Sequence, residues 1–191
     1  YSLLTEGKGQ ILEIISDIVS SKDANYVGIL DDDILIKISC LNRALLIASN
    51  QGFSAFQPSL TRYSFFSHKF TIQRRKNAYR CVPWVEIMMP IIKKDLLIAA
   101  KPFFAGNISS WGLDCYVFPM LSFIESFSGC HAVIDMCIAT HLRPISSGDK
   151  IYSNNLSAAQ EMLSVNQACK LYLSTKGISW QDDKFLFNLL S

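Results

Sequence analysis

The stretch Tyr26-Val27-Gly28-Ile29-Leu30 runs straight into Asp31-Asp32-Asp33. A short apolar run with no polar alternation predicts a strand buried on both faces, the pattern of a parallel sheet covered by helices. Three adjacent carboxylates repel one another and resist burial, so the chain must surface at that strand's carboxyl end. The remaining periodicity fits this arrangement. Ile11, Leu12, Ile14, Ile15, Ile18 and Val19 recur at helical spacing over 9–21, after a tight turn at Gly7 and Gly9. Leu41, Leu45, Leu46 and Ile47 predict a second helix over 38–50, closed near Gly52.

Downstream, Ser54 to Gln57 reads as a strand stopping at Pro58, and 59–78 as a long polar, aromatic and basic loop. Cys81 to Met89 reads as a strand interrupted by Pro83, Asp95 to Phe104 as a short helix, and Leu113 to Phe127 as a helix with Pro119 near its first turns. Ala132 to Ala139 reads as a buried strand. A helix over 157–175 starts at a Ser157/Gln160 capping box and stops at Gly177. Trp180 to Leu190 reads as a last short helix. Strands and helices alternate, so the expected class is α/β, a mostly parallel sheet flanked by helices.

Composition narrows the classes. The chain has 191 residues, half of them hydrophobic, enough for one domain with a real core. A net charge of only +2 gives no bulk attraction to nucleic acid, so no nucleic-acid partner is expected. The six cysteines are scattered, lack a C-x-x-C pair and sit mostly in apolar surroundings. They read as free thiols in a reducing compartment, hence a cytoplasmic protein. No apolar run approaches the ~18–20 residues of a membrane span. The apolar content still leaves room for a membrane-surface or partner contact.

In open α/β sheets, ligands bind beyond the carboxyl ends of strands, where Asp31, Asp32 and Asp33 fall. Oxygen ligands at this density suit Mg²⁺ or Mn²⁺ shared with substrate phosphates; the alternative is a solvated acidic turn capping the next helix. Glu86 lies in the very apolar run Trp84 to Pro90, so it either has a partner or faces a site. His141 follows the Ala132–Ala139 strand, again at a carboxyl end, and Arg143 follows it. Arg74-Arg75-Lys76, beside His68, Lys69 and Arg80, forms the one basic cluster; it reads as an anion grip or as a solvated loop face. Phe65 and Phe66 lie in the polar loop and are candidates for acceptor stacking or a partner contact. A P-loop, a dinucleotide fingerprint, a nucleophile elbow and zinc spacing are all missing from the sequence.

Asn25 to Asp33 resembles the strand and D-x-D motif of GT-A nucleotide-sugar glycosyltransferases, and Gly7-Lys8-Gly9 with its helix is similar to the segment leading into it. Ala55 to Leu60, Trp84 to Pro90, Trp111-Gly112-Leu113-Asp114 and His141-Leu142-Arg143-Pro144 follow in order. Together they resemble a group of GT-A-like proteins of bacteria and plants, over about residues 7–165. The resemblance implies a glycosyltransferase moving a sugar from a nucleotide-diphosphate donor to a glycan or lipid-linked acceptor with Mn²⁺ or Mg²⁺, in polysaccharide or glycoconjugate synthesis. It places Asp31 and Asp33, with Asp32 between them, on the metal and donor diphosphate. His141 completes the metal site, or is a structural histidine; Arg143, by the bidentate chemistry of its guanidinium, holds the diphosphate or forms a surface salt bridge. Trp111 stacks on a sugar and Gly112 permits close approach. Gln57, with Ser59, is read from its place at a strand end as a contact to substrate hydroxyls. Asp114 stands where inverting members carry the base that deprotonates the acceptor, or it caps the next helix; Glu86 is the rival base.

The resemblance also implies one GT-A-like domain over 1–191 lacking the N-terminal base-binding unit, with 155–191 as a C-terminal helical segment. Two other readings stand beside it: a silent GT-A-like module that binds glycan or protein, and another Mg²⁺-dependent phosphate enzyme.

Overall fold

A computed structural model describes residues 4–124, 127, 129–145 and 148–179. In chain order the elements are α1 (Lys8–Ser20), β1 (Tyr26–Gly28), β2 (Ile34–Ile36), α2 (Ile38–Gln51), β3 (Ala55–Leu60), β4 (Arg80–Val82), β5 (Ile91–Lys93), α3 (Lys94–Ala99), a π-helical turn (Leu113–Val117) continuing into α4 (Phe118–Ile124), β6 (His131–His141) and α5 (Ala158–Thr175). Short 3₁₀ turns lie at Lys69–Thr71 and Lys101–Phe103. The predicted tail helix from Trp180 and the end of the predicted 113–127 helix fall partly or wholly outside the described residues.

The six strands form one sheet in the order β1-β5-β3-β6-β2, with β4 also paired to β6. Alternate residues of the central pair face opposite helical layers. Ala55 and Ile92 are register partners packed with Leu12, Leu96, Leu97, Leu113, Phe118 and Leu173 from α1, α3, the π turn, α4 and α5. Their neighbours Phe56 and Ile91 pack instead with Ala44 and Ala48 of α2. The α/β class is therefore observed, with helices on both faces.

The expected mostly parallel sheet is not. Only β3–β6 is parallel, while β1–β5, β3–β5, β2–β6 and β4–β6 are antiparallel. Continuous apolar strands report cover on both faces, and this sheet has that cover whatever its strand directions. β1 is an edge strand, half-buried and with Gly28 exposed, rather than the buried strand that its apolar run suggested.

Two further boundaries moved for local reasons. β3 runs through Pro58 to Leu60, fully buried throughout. The register against β6 shifts between Pro58 and Ser59. A bulge is where a proline without an N–H is tolerated inside a sheet. The Cys81–Met89 segment is strand only over Arg80–Val82; the chain then loops across the sheet's end, and the strand at Ile91–Lys93 begins after Pro90.

The predicted α5 start is observed, with Ser157 and Gln160 in a reciprocal capping box, and Gly177 follows it with φ +71°. The free-cysteine expectation fails at two positions: Cys81 and Cys130 form a disulfide, with Cα atoms 5.8 Å apart. The pairing of β4 with β6 sets Cys81 opposite Ala132, two residues after Cys130, a proximity invisible in their spacing of 49 residues. Cys40, Cys115, Cys137 and Cys169 are free.

Candidate functional site

A cleft of about 740 Å³ opens where the chain leaves β1, β6 and the 84–90 loop. Asp31, Asp32, Asp33, Glu86, Trp111, Gly112, Asp114 and His141 all line it. Residues spread over 110 positions of sequence thus converge on one concavity.

Strand pairing brings the first group together. Ile34 is the register partner of His141, and Leu142 N–H donates to Asp33 O at 3.0 Å. Asp33, one residue before the pair, is held against the end of β6. Its Oδ2 lies 3.2 Å from His141 Nε2. On the other side of the ring, His141 Nδ1 is 3.0 Å from Phe65 O. A carbonyl only accepts, so Nδ1 carries hydrogen and Nε2 points at the carboxylate. Between Nε2 and an anion at that distance there is room for a proton or for a cation bound to both. Asp33 Oδ1 is buried and has no hydrogen-bond partner among the described residues.

Asp31 is placed by backbone bonds from its N–H to Met88 O and from Ile34 N–H to its own carbonyl. Its Oδ1 is 2.5 Å from Lys8 Nζ, which also donates to Ile87 O at 2.6 Å. Burial pushes the Lys8 pKa down, and the carboxylates of Asp31, Asp114 and Asp33 oppose that shift. Lys8 is thus the cation at the centre of the acidic cluster. Its signal in the sequence was a lysine between two glycines at a helix start. A Cβ on Gly7 would lie 2.2 Å from Ile108 O, and one on Gly9 2.1 Å from Asn107 O. Only glycine lets the first turn of α1 approach the 107–108 backbone and carry Lys8 into the cleft.

The second group centres on Glu86 and Asp114, both buried. Asp114 Oδ2 accepts from Ile87 N–H at 3.1 Å and Oδ1 from Cys115 N–H at 2.8 Å, so it ties the 84–90 loop to the π turn. Burial nonetheless raises its pKa. Glu86 differs: burial pushes its pKa up to about 7, Ser67 hydrogen-bonds the carboxyl and lowers it, and the Asp114 charge raises it. Glu86 Oε2 has no partner among the described residues. A carboxyl that titrates near neutrality, lines a cleft and keeps one oxygen unpartnered is equipped for proton transfer.

Not every sequence candidate reaches the cleft. Gln57 is fully buried in β3, and its Oε1 accepts from Glu86 N–H at 2.7 Å. It positions the Glu86 backbone and does not line the cleft. Arg143 does not line the cleft; its exposed side chain lies 3.4 Å from the equally exposed Asp32. Gly112 has φ +87°, and a Cβ there would press on Val165 and Met162 of α5, so packing against that helix demands it as much as any ligand. The Trp111 ring lies against Gly148, where a Cβ would come within 2.6 Å of it.

Sequence reasoning missed the aromatic wall. His68 stacks on Phe70 with centroids 5.4 Å apart, and Trp84 meets both rings edge-on. Trp84 Nε1–H is buried without an acceptor among the described residues, and Trp84 and His68 line the cleft beside Glu86. Spacing gave no hint of it, because the loop at 61–71 must fold back on the end of β3 to assemble the trio; Gln73 N–H closes it onto Leu60 O. Glu161 of α5, also missed, accepts from Ile108 N–H, Ser109 N–H and Asn154 Nδ2–H and so fixes the loop that carries Trp111.

No group of three His, Cys, Asp or Glu side chains among the described residues is arranged as a metal cage. Among those residues no helix is long and apolar enough to cross a membrane. Compared with known proteins, the chain matches no family model, no curated protein and no solved structure.

Proposed function

We propose that the cleft is the active site of a metal-dependent glycosyltransferase, which moves a sugar from a nucleotide-diphosphate donor to a hydroxyl acceptor. The observation carrying this reading is the pairing of two unlike carboxyl sites in one cleft: Asp33, with Oδ2 facing His141 and Oδ1 buried without a partner among the described residues, and Glu86, its pKa pushed up to about 7 and its Oε2 likewise unpartnered. Sugar transfer from a diphosphate needs charge stabilisation at the leaving group and a base at the acceptor. The orphaned Asp33 Oδ1 and the inward Nε2 of His141 fit Mn²⁺ or Mg²⁺. Few protein ligands suffice for such an ion when phosphate oxygens complete its shell. When bound, the ion supplies Lewis-acid stabilisation of the departing diphosphate.

The chain's own residues do the rest. Asp33 and His141, with Asp31 beside them, hold the metal; Lys8 contributes a second positive charge next to Asp31. Glu86 takes the acceptor proton, and Asp114 raises the basicity of Glu86 by its charge while bracing the loop. The cytoplasmic placement rested on free cysteines, and the Cys81–Cys130 disulfide removes that basis.

The test is calorimetric titration of a panel of nucleoside diphosphates with and without Mn²⁺. Binding that requires the metal and is lost in Asp33→Asn supports the reading. Absence of binding across the panel, or binding indifferent to metal and to Asp33→Asn, overturns it. Metal-independent binding of free glycans would instead favour a silent module.

A further inference from the structure

Charge is distributed unevenly along this chain. Residues 61–80 contain Arg62, Lys69, Arg74, Arg75, Lys76 and Arg80 and no carboxylate. The whole chain is +2 and this stretch is +6, so the remainder is −4. Arg80 is committed to a buried pair with Asp135. The other five cations are exposed, and among the described residues no salt bridge engages any of them.

Three of the five aromatic rings in the same stretch are exposed, while Phe70 and Tyr79 are packed. Tyr63 is 84% exposed, Phe65 45% and Phe66 38%. The backbone beneath them is fixed: Ser64 N–H donates to Thr61 O, Phe65 N–H to His141 O, and Ser64 Oγ accepts from His141 N–H at 3.2 Å. The rings are therefore held at the surface by an ordered loop. Leu142 and Ile145, just beyond His141, are exposed as well, at 54% and 39%. The basic turn is anchored along the same strand, by Arg74 N–H to Asp135 Oδ1 and Met136 N–H to Ala78 O. Six positions of β6 separate the two anchors, a span of about 20 Å at the rise of a strand.

We propose that this surface docks the chain on an anionic lipid bilayer, with the cations over the headgroups and Tyr63, Phe66, Leu142 and Ile145 in the interface. Exposed rings and aliphatic side chains beside unpaired cations are the combination that such an interface rewards. The aliphatic pair favours a bilayer over single-stranded nucleic acid, which would use the rings for stacking and gain nothing from Leu142 or Ile145. Ser67 and His68 belong to the same loop and line the cleft, so docking turns the cleft's mouth toward the membrane. The proposal stands whether or not the cleft transfers sugar.

Co-sedimentation of the full chain with phosphatidylcholine vesicles, and with phosphatidylcholine mixed with phosphatidylserine, tests it. The chain binds the mixed vesicles alone, and added salt weakens the binding. Replacing Arg74, Arg75 and Lys76 by Glu weakens it on the order of a hundredfold. Tyr63→Ser with Phe66→Ser also weakens it while leaving the salt dependence in place. These side chains are exposed, and either set of changes tests the surface alone should the other disturb folding. The proposal is overturned by absence of vesicle binding, by equal binding to neutral vesicles, by binding insensitive to both sets, or by an oligonucleotide that displaces the chain from vesicles.

Discussion

His131 and His141 open and close the same strand, and they are almost equally buried, at 3% and 6% exposure. Their surroundings make them different devices. His131 has Ser122 Oγ at 2.9 Å from Nε2 and nothing at Nδ1 among the described residues, and burial alone drives its pKa down to about 4. It is a neutral core residue. His141 has one nitrogen committed to a carbonyl and the other turned toward a carboxylate. Burial by itself makes a histidine inert; burial with a facing acid makes it part of a site. The neighbourhoods follow suit: the opening end of β6 carries the disulfide and a serine, while the closing end carries Asp33 and looks into the cleft with Glu86.

The sharpest way to break this contrast is to remove the cleft's proton acceptor. Glu86→Gln is expected to lower turnover by a factor on the order of 10²–10⁴ while leaving metal-dependent nucleotide binding intact. The rise of rate with pH through about 7 should vanish with it. Steady-state kinetics on a donor that supports transfer in the unmodified protein provides the measurement. Full activity in Glu86→Gln would move the base to Asp114.

The opening end predicts the reverse: a large effect on stability and none on chemistry. The Cys81–Cys130 bond closes a long loop, and its loss should cost about 2–4 kcal/mol. Denaturant unfolding of Cys81→Ser with Cys130→Ser against the unmodified chain measures this, with nucleotide binding as the control. A double variant that keeps its stability but loses binding would place the disulfide in the site's machinery and erase the contrast.

What could be read from the sequence follows the same division. Asp31, Asp33, Glu86 and His141, which line the cleft, stood out because a carboxylate or imidazole in or beside an apolar run is locally expensive, and that cost is written in neighbouring residues; Asp114 entered only through the family resemblance. Lys8 and the His68–Phe70–Trp84 wall were not visible, because their meaning comes from backbone approaches at Gly7 and Gly9 and from a loop folding back on Leu60. Gln57 looked like a substrate contact because β3 appeared to end at Pro58; once the bulge carries the strand onward, Gln57 is interior and serves Glu86. The two helical layers were legible in the spacing of apolar residues, whereas strand direction leaves no mark on that spacing.

A third effect, of similar size, is masked in the unmodified protein. The neutral form of His131 is favoured on folding, with a pKa of about 4 against an ordinary 6.5. Between those values the unfolded chain binds the extra proton, so this contribution is present above pH 6.5 and is lost as pH falls to 4. Glu86 runs the other way. Its pKa of about 7 against 4.5 means that the folded chain holds the extra proton, a contribution present below pH 4.5 and lost as pH rises to 7. Each displacement corresponds to about 3 kcal/mol, so acidification from pH 7 to 4.5 weakens one end of β6 while it strengthens the cleft. The two nearly cancel, and the unmodified chain should show little net slope from this pair. His131→Gln keeps a partner for Ser122 and removes one arm. Its stability relative to the unmodified chain should improve by about 3 kcal/mol between pH 7 and pH 4, measured as the change in their difference by urea unfolding. Glu86→Gln should show the opposite drift, losing its advantage as pH falls. A difference between His131→Gln and the unmodified chain that is constant with pH would mean that burial does not hold His131 neutral, and the contrast drawn from its surroundings would fail.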